Sequence, residues 1–489
     1  MVMTDRKGKG QLQARLILLF IQVIFVWRLN AQSLESIVPV RLTQGHMPDS
    51  VSFVFTATDF NYFVDLPATF TSSLEIIDAN APWPPRWFMP ASYNSSLRFT
   101  ALMPLNASIQ ENKLSYYTVF RHYSAEEKQT ARVAYIICNE DAEPIDTFYG
   151  DYEPDAHEFR LMSNGEKIYF DVSNQKVNLK DLFGIDTMKY TKYENIIISN
   201  SRDTVVFYWN AYQHLGIKSA YIPYCDTGNI FTSSKSFEWT QGSSVCFDYD
   251  GDILYSYKNI GIGKISRRDG HIVWRIDRNK LQPNALSDTI PIFLQHDFKS
   301  VKDAKGNIIY TVLSNGDNLN PQTRALEFTL QWTADSMPIF KLVKKIESPK
   351  NIQMTTAGNF DLEKDGNYLL SYGFYKGDTT SNHTFMEYRN SKDNVVAAYS
   401  ISPHGFYYRV HKTGPWGPKR PEVIEKDGAL KCVSGASGTW YKMEGKDLEA
   451  LKPVVKSAAL FRPKEKGYYC VAVPSGVGYA VSKPFNYSK

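Results

Sequence analysis

Between about residues 74 and 410 the chain repeats one pattern of apolar and polar positions. A short run of alternating apolar residues meets a turn centred on Asn-Gly or Asp-Gly. A second run follows, then a polar turn, then a third run carrying an aromatic. His157 to Phe170 turns at Asn164-Gly165, Ser244 to Ser256 at Gly251, Asp297 to Leu313 at Gly306-Asn307, and Phe360 to Tyr372 at Asp365-Gly366. Positive φ costs little at Gly and is tolerated at Asn or Asp, so each segment predicts a β-hairpin. Matching starts fall near residues 99, 159, 246, 298 and 358, a loose period of about 50 to 60 residues that suits propeller blades rather than short solenoid repeats. Five units are clear, and residues 51–90, ending in Ser73-Leu74-Glu75-Ile76-Ile77-Asp78, predict a sixth that shares strands with the last unit to close the ring. Closure would remove the edge strands that an open array exposes. The competing reading is a pair of β-sandwiches.

The pattern changes after Gly414 to Pro421. This Pro-rich stretch predicts a linker over residues 414–425, placing the propeller at 51–413 and a separate module at 426–489. There Leu430 and Cys432 alternate inward, Trp440 follows, and Gly467-Tyr468-Tyr469 opens another strand, as in a small immunoglobulin-like β-sandwich. Cys470 comes one residue after Tyr469 instead of two, so a regular pleat puts them on opposite faces. A Cys432–Cys470 disulfide then needs a bulge.

Composition supports an all-β chain: Tyr 31, Phe 28, Gly 29 and Pro 24 in 489 residues, too apolar at 43% for disorder. The net charge of +4 comes from the N-terminus. Residues 1–31 hold five of the 55 basic residues and one of the 51 acidic ones, and the remainder is balanced. Without a basic stripe, nucleic acid is not an expected partner. The same segment has a basic start, an apolar stretch from Leu16 to Trp27 and Leu29-Asn30-Ala31, so it predicts a signal peptide cut after Ala31, followed by an N-terminal segment 32–50. The alternative is an uncleaved anchor, although the stretch falls short of the ~20 residues a spanning helix needs. The expected location is secreted, periplasmic or cell-surface, with no stable membrane span after cleavage. Five cysteines leave at least one unpaired, and no C-x-x-C pair suggests zinc or redox chemistry.

Several chemistries lose their signatures. After His157-Glu158 a zincin helix would need a second His where Leu161 stands. Asp248, Asp250 and Asp252 begin like a calcium loop, but Ile253 occupies the position that requires Gly. Ser434 to Gly438 lacks nucleophile-elbow spacing, and there is no phosphate loop. No metal and no cofactor are expected. What remains is a repeated placement: His157-Glu158-Phe159 and His296-Asp297-Phe298 each put a His before an acid and an aromatic at the start of a unit, where propeller blades converge.

The run Ser244 to Ser256, then Gly263-Lys264-Ile265, Asp269-Gly270-His271-Ile272-Val273-Trp274, Gln295-His296-Asp297 and Asn315-Gly316 resembles the arylsulfotransferase family. The likeness covers about residues 51–415. It implies an exported six-bladed propeller that passes a sulfuryl group from an aryl sulfate to a phenolic acceptor, through a sulfohistidine and without a nucleotide donor. By resemblance His296 carries the group and His157 contacts the sulfate, while Tyr257, Asn315 and Arg409 bind substrate. Two positions depart from the family: Gln241 stands in place of a histidine and Lys258 in place of an arginine. Gln donates a hydrogen bond but offers no acid or base function, and Lys keeps charge without the planar fork. A slowed enzyme, a propeller that binds sulfated or phenolic ligands, and a surface adhesion or scaffold protein are therefore the competing functions. His404 and His411, near the last repeat, are candidates to restore a lost role.

Overall fold

A computed structural model describes residues 40–59, 69–94, 105–122, 130–150, 154–220, 237–277, 292–316, 321–333, 338–349, 354–375, 383–401, 405–445, 448 and 450–488. The signal-peptide reading, Cys225 and His404 lie outside them. The regular structure of the described residues is almost entirely β-strand, and it forms a β-propeller followed by further strands. It divides into two compact units: Met47–Phe148 with Lys412–Lys489 and the residues up to Leu42, and Thr43–His46 with Tyr149–His411.

The second unit holds four antiparallel blades in chain order. The third blade is Pro154–Leu161, Lys167–Asn178, Met188–Ser199 and Val205–Trp209; the fourth is Gly242–Phe247, Ile253–Tyr257, Gly261–Ile265 and Ile272–Asp277. The fifth is His296–Lys302, Ile308–Ser314, Arg324–Trp332 and Pro338–Glu347; the sixth is Asn359–Leu362, Tyr368–Ser371, His383–Arg389 and Val395–Ile401. All four hairpins expected from the turn dipeptides form. Ser244 pairs with Ser256 and His296 with Leu313, and Gly165, Gly251, Gly306 and Gly366 have φ of 82°, 88°, 83° and 84°. Alternate residues such as Phe170, Val245, Tyr255 and Ile196 face a common core between the third and fourth blades. The Asp248-Asp250 turn is a hairpin in which the Lys264 ammonium contacts both carboxylates, 2.7 Å from that of Asp248. The N-terminal segment expected at 32–50 contributes a strand: Val40–Gly45 joins the sixth blade's sheet, and Thr43 Oγ1 donates to Ala398 O at 3.0 Å.

The first unit contains the second blade, Leu105–Gln110, Lys113–His122, Thr130–Cys138 and Pro144–Phe148. Its tight turn has Glu111 and Asn112 at φ 50° and 57°, the two positive values of a type I′ hairpin. The first blade lies within a larger sheet. Within this unit the order runs through Ser52–Asp59, Thr69–Asp78 and Trp87–Asn94. It continues into Gly478–Val481, Gly467–Ser475, Gly438–Glu444 and Ala450–Ala458, with Phe485–Tyr487 also on Gly467–Ser475.

Residues 426–489 are thus joined to the first blade rather than set apart. Tyr479 pairs with Phe88 and Ala480 with Trp87, and one apolar cluster contains Leu74, Ile76 and Trp87 together with Leu430, Trp440, Phe461 and Tyr469. The 414–425 stretch is tied down too: Trp416 is buried with its indole N–H on Asn112 O at 2.9 Å, and the Arg420 guanidinium meets Asp78 at 2.7 Å and the Pro84 carbonyl at 2.9 Å. The tail keeps a tyrosine-corner bond, Tyr469 Oη donating to Glu465 O at 2.9 Å. It has no Cys432–Cys470 disulfide; both thiols are free and buried. The pleat is the reason. Tyr469 faces the cluster that holds Cys432, and Cys470 faces the opposite one with Phe88 and Tyr441.

Glu75 is buried on the opposite side of its strand from Leu74 and Ile76. Ser73 Oγ donates to its Oε1 at 2.6 Å and its Oε2 has no partner. Burial pushes its carboxyl up to about 8, against the lowering effect of Ser73. A carboxyl raised on folding stabilises the protein less as pH climbs from about 4.5 towards 8, because the folded state holds a proton that the unfolded state releases. Glu75→Gln is expected to leave thermal stability nearly unchanged at pH 4 and to raise it by roughly 5 kcal/mol at pH 8.5. Equal shifts at both pH values in calorimetry would refute this.

Candidate functional site

His296 opens the inner strand of the fifth blade and is 2% exposed. Three groups fix its ring. Ala357 N–H donates to Nε2 at 3.2 Å, so Nε2 is unprotonated and the proton sits on Nδ1. Nδ1–H has two acceptors, Asn315 Oδ1 at 3.0 Å and Leu294 O at 3.2 Å. Asn315 Nδ2 donates in turn to Ala357 O at 2.8 Å, closing a three-membered ring of hydrogen bonds. Burial holds the imidazole well below its ordinary pKa, and the positive charges of Lys258, His157 and Arg409 reinforce this. The ring is neutral.

His157 lies on the inner strand of the third blade. Its Nδ1 is bound to Asp155, its ring meets Tyr408 edge-on at 5.7 Å, and Tyr408 Oη donates to its carbonyl at 3.0 Å. With 29% of its side chain exposed it is accessible where His296 is not. Burial disfavours its charged form, but Asp155, Glu194 and Glu238 outweigh that and raise its pKa. Two histidines in one repeat register are therefore poised oppositely, one neutral and one disposed to be cationic.

Lys258 is half-buried, and its backbone N–H donates to Gln241 O at 2.9 Å. Gln241, Leu294, Asp297 and Ala357 all have left-handed backbones, with φ of 53°, 46°, 52° and 62°. Each such non-glycine residue costs roughly 1–3 kcal/mol and persists only where its surroundings over-determine it. Here the site's own hydrogen bonds do so: Asp297 Oδ2, for example, accepts from Phe360 N–H at 3.0 Å and from Lys299 at 2.6 Å.

Arg409 is fully buried. Nη1 donates to Glu158 Oε2 at 2.8 Å and Nη2 to Ser243 O at 2.6 Å. Glu158 also meets Arg160 at 3.1 Å. Burial would raise the Glu158 carboxyl, but the two guanidiniums hold it below the usual range. A second chain of charges runs Asp297, Lys299, Asp361, His411, the last pair 3.6 Å apart.

Of the residues expected from sequence, His157, Lys258 and Arg409 all act electrostatically on His296, and Asn315 touches it. Asn315 orients the histidine, so its side chain is already committed. Tyr257 is turned into the core beside Phe170, its hydroxyl on Glu194 O at 2.9 Å, and does not present that group to a ligand. Arg409 is likewise occupied by Glu158 and the Ser243 carbonyl. His411 faces Asp361. Sequence reasoning missed Ala357, Arg160, Glu194 and the Glu158–Arg409 pair. The acid following each histidine was the available signal: Glu158 and Asp297 are both buried ion-pair members. Among the described residues no group of three or more His, Cys, Asp or Glu side chains is placed to hold a metal, and no helix is long and apolar enough to cross a membrane.

No family model matches the chain, and no curated protein matches it in sequence. Solved structures similar to it include a glucose dehydrogenase (10% identity, 77% of this chain and 99% of that one, TM-score 0.32). Others are the WD40 propeller domain of Doa1 (8%, 75% and 97%, TM-score 0.29) and BamB from Moraxella catarrhalis (8%, 82% and 81%, TM-score 0.25). At these scores the likeness carries no argument about ligand or reaction.

Proposed function

We propose that the protein is an exported arylsulfotransferase-like enzyme in which His296 carries a sulfuryl group between an aryl sulfate and a phenolic acceptor. One observation carries the reading: a neutral imidazole, its proton fixed on Nδ1 and its lone pair on Nε2, lies in the field of three cationic side chains. Nε2 attacks sulfur, an N–S bond forms, and the S–O bond to the aryl group breaks with its electron pair leaving on the phenolate. An acceptor phenol oxygen then attacks sulfur, the N–S bond breaks and returns the pair to Nε2, and the acceptor's proton passes to solvent. Lys258 and His157 supply the charge that the sulfate oxygens need in the transition state.

The Ala357 N–H on Nε2 and the absence of an acid or base at Gln241 favour a second reading, a propeller that binds sulfated ligands without turning them over. Incubation with nitrophenyl sulfate distinguishes the two. The enzyme is expected to release nitrophenol in a burst near one equivalent and to gain one sulfuryl mass, with ping-pong transfer to added phenol. His296→Ala abolishes both signals, and Gln241→His with Lys258→Arg raises turnover by about tenfold or more. Saturable binding with no burst and no adduct would replace the enzyme by the binding protein.

A further inference from the structure

Glu194, on the third strand of the third blade, is fully buried behind the turn that carries Gln241. Its Oε2 accepts from Thr240 Oγ1 and, at 3.0 Å, from Gly242 N–H, so one carboxyl oxygen holds the residues on both sides of Gln241. Its backbone N–H donates to Thr240 Oγ1 at 3.0 Å, and its carbonyl accepts the Tyr257 hydroxyl at 2.9 Å. Tyr257 O accepts from Gln295 Nε2 at 2.7 Å. A hydrogen-bonded path therefore joins Glu194 to the residue before Lys258 and to the residue before His296.

The other carboxyl oxygen, Oε1, is buried and receives no donor. We infer that Glu194 is a positioning residue: through one carboxyl oxygen it clamps Thr240 and Gly242 and so fixes left-handed Gln241 and the adjoining Lys258 at the site proposed above. The groups acting on it are Glu238, itself 3.2 Å from Lys192, with Asp155 and His157 from the inner strand of the same blade and Tyr257 from the fourth blade. Burial, with Glu238 and Asp155 adding to it, pushes the Glu194 carboxyl up to about 8. Above that pH the buried Glu194 carboxylate is charged in the field of Glu238 and Asp155 and the clamp loosens; below it the clamp is set.

Glu194→Gln reproduces the uncharged acid and keeps a carbonyl oxygen for Thr240 and Gly242. The inference rests on the sulfuryl-transfer reading only for its kinetic readout. The test measures nitrophenyl sulfate turnover from pH 6 to 9.5 and, independently, the His157 ring resonances by NMR, assigned with His157→Gln. Wild type is expected to lose turnover about tenfold between pH 7 and pH 9 and to show a second His157 inflection near pH 8. Glu194→Gln keeps the pH 7 rate within about twofold, with both the fall and the inflection gone, while Glu194→Ala loses tenfold or more at every pH. If no variant turns over but the inflection appears in wild type and vanishes in Glu194→Gln, the positioning role stands and the sulfuryl reading fails. If the inflection is absent from wild type, or Glu194→Gln retains it, the inference is overturned whatever the turnover.

Discussion

Deleting residues 426–489 is expected to unfold the first unit rather than to release a dispensable module. The deletion strips the outer partner from Trp87–Asn94, and the Trp87 and Trp83 indoles lose their acceptors, Ser475 O at 3.1 Å and Leu448 O at 3.2 Å. It also uncovers Leu74, Ile76, Trp87 and Met89, all now buried in one cluster with Trp440 and Tyr469. At about 1.5–3 kcal/mol for each large apolar side chain returned to water, four of them cost as much as the about 5–15 kcal/mol that holds a typical domain folded. The truncated protein should be insoluble or lack a cooperative transition in calorimetry. A soluble truncation with a sharp transition would show that the first blade closes without the tail.

The second large effect is expected at Arg409→Ala. Glu158 and Arg409 are 2% exposed each, and removing the guanidinium leaves Glu158 with Arg160 alone while stranding the Ser243 carbonyl. Breaking a buried pair by deleting one partner costs about 3–5 kcal/mol. The loss should depend on pH in a defined sense. Because its folded pKa is lowered, Glu158 stabilises the protein above its unfolded value near 4.5, and this contribution disappears as pH falls through the depressed folded value. The difference between wild type and Arg409→Ala in denaturant unfolding is therefore expected to be larger at pH 7 than at pH 3. An equal difference at both would mean that Arg409 contributes packing rather than charge.

The blades were legible because their signals are local. Asn164-Gly165 and Asp365-Gly366 specify their own hairpins within a dozen residues, and alternation tells which face is buried. The joining of Gly478–Val481 to Trp87–Asn94 was not, since two edge strands carry no mark of each other until both exist. The strand pleat, legible in the sequence, already sets Tyr469 and Cys470 on opposite faces and so keeps Cys470 away from Cys432. At the candidate site, repeat register identified His157 and His296, and their following acids hinted at the ion pairs. The groups that set the His296 tautomer were invisible: Ala357 acts through its backbone, and nothing in an alanine's side chain announces a hydrogen-bond donor. Tyr257 was placed at the site from sequence but packs into the core, because an aromatic between Ser256 and Lys258 alternates away from them.

The pairing of the first blade with the end of the chain also sets a timetable. The Trp87 indole and its acceptor at Ser475 are 388 residues apart in sequence. At about 5–20 residues per second of synthesis, the outer edge of Trp87–Asn94 waits roughly 20–80 s for its partner, while the four blades of the second unit emerge and can form. During that interval the unpaired edge is a template open to any passing strand, including the same segment on a neighbouring nascent chain. The order of synthesis thus leaves this non-local junction open for that whole interval, and shielding Trp87–Asn94 until Gly478–Val481 arrives is expected to raise the yield of folded protein.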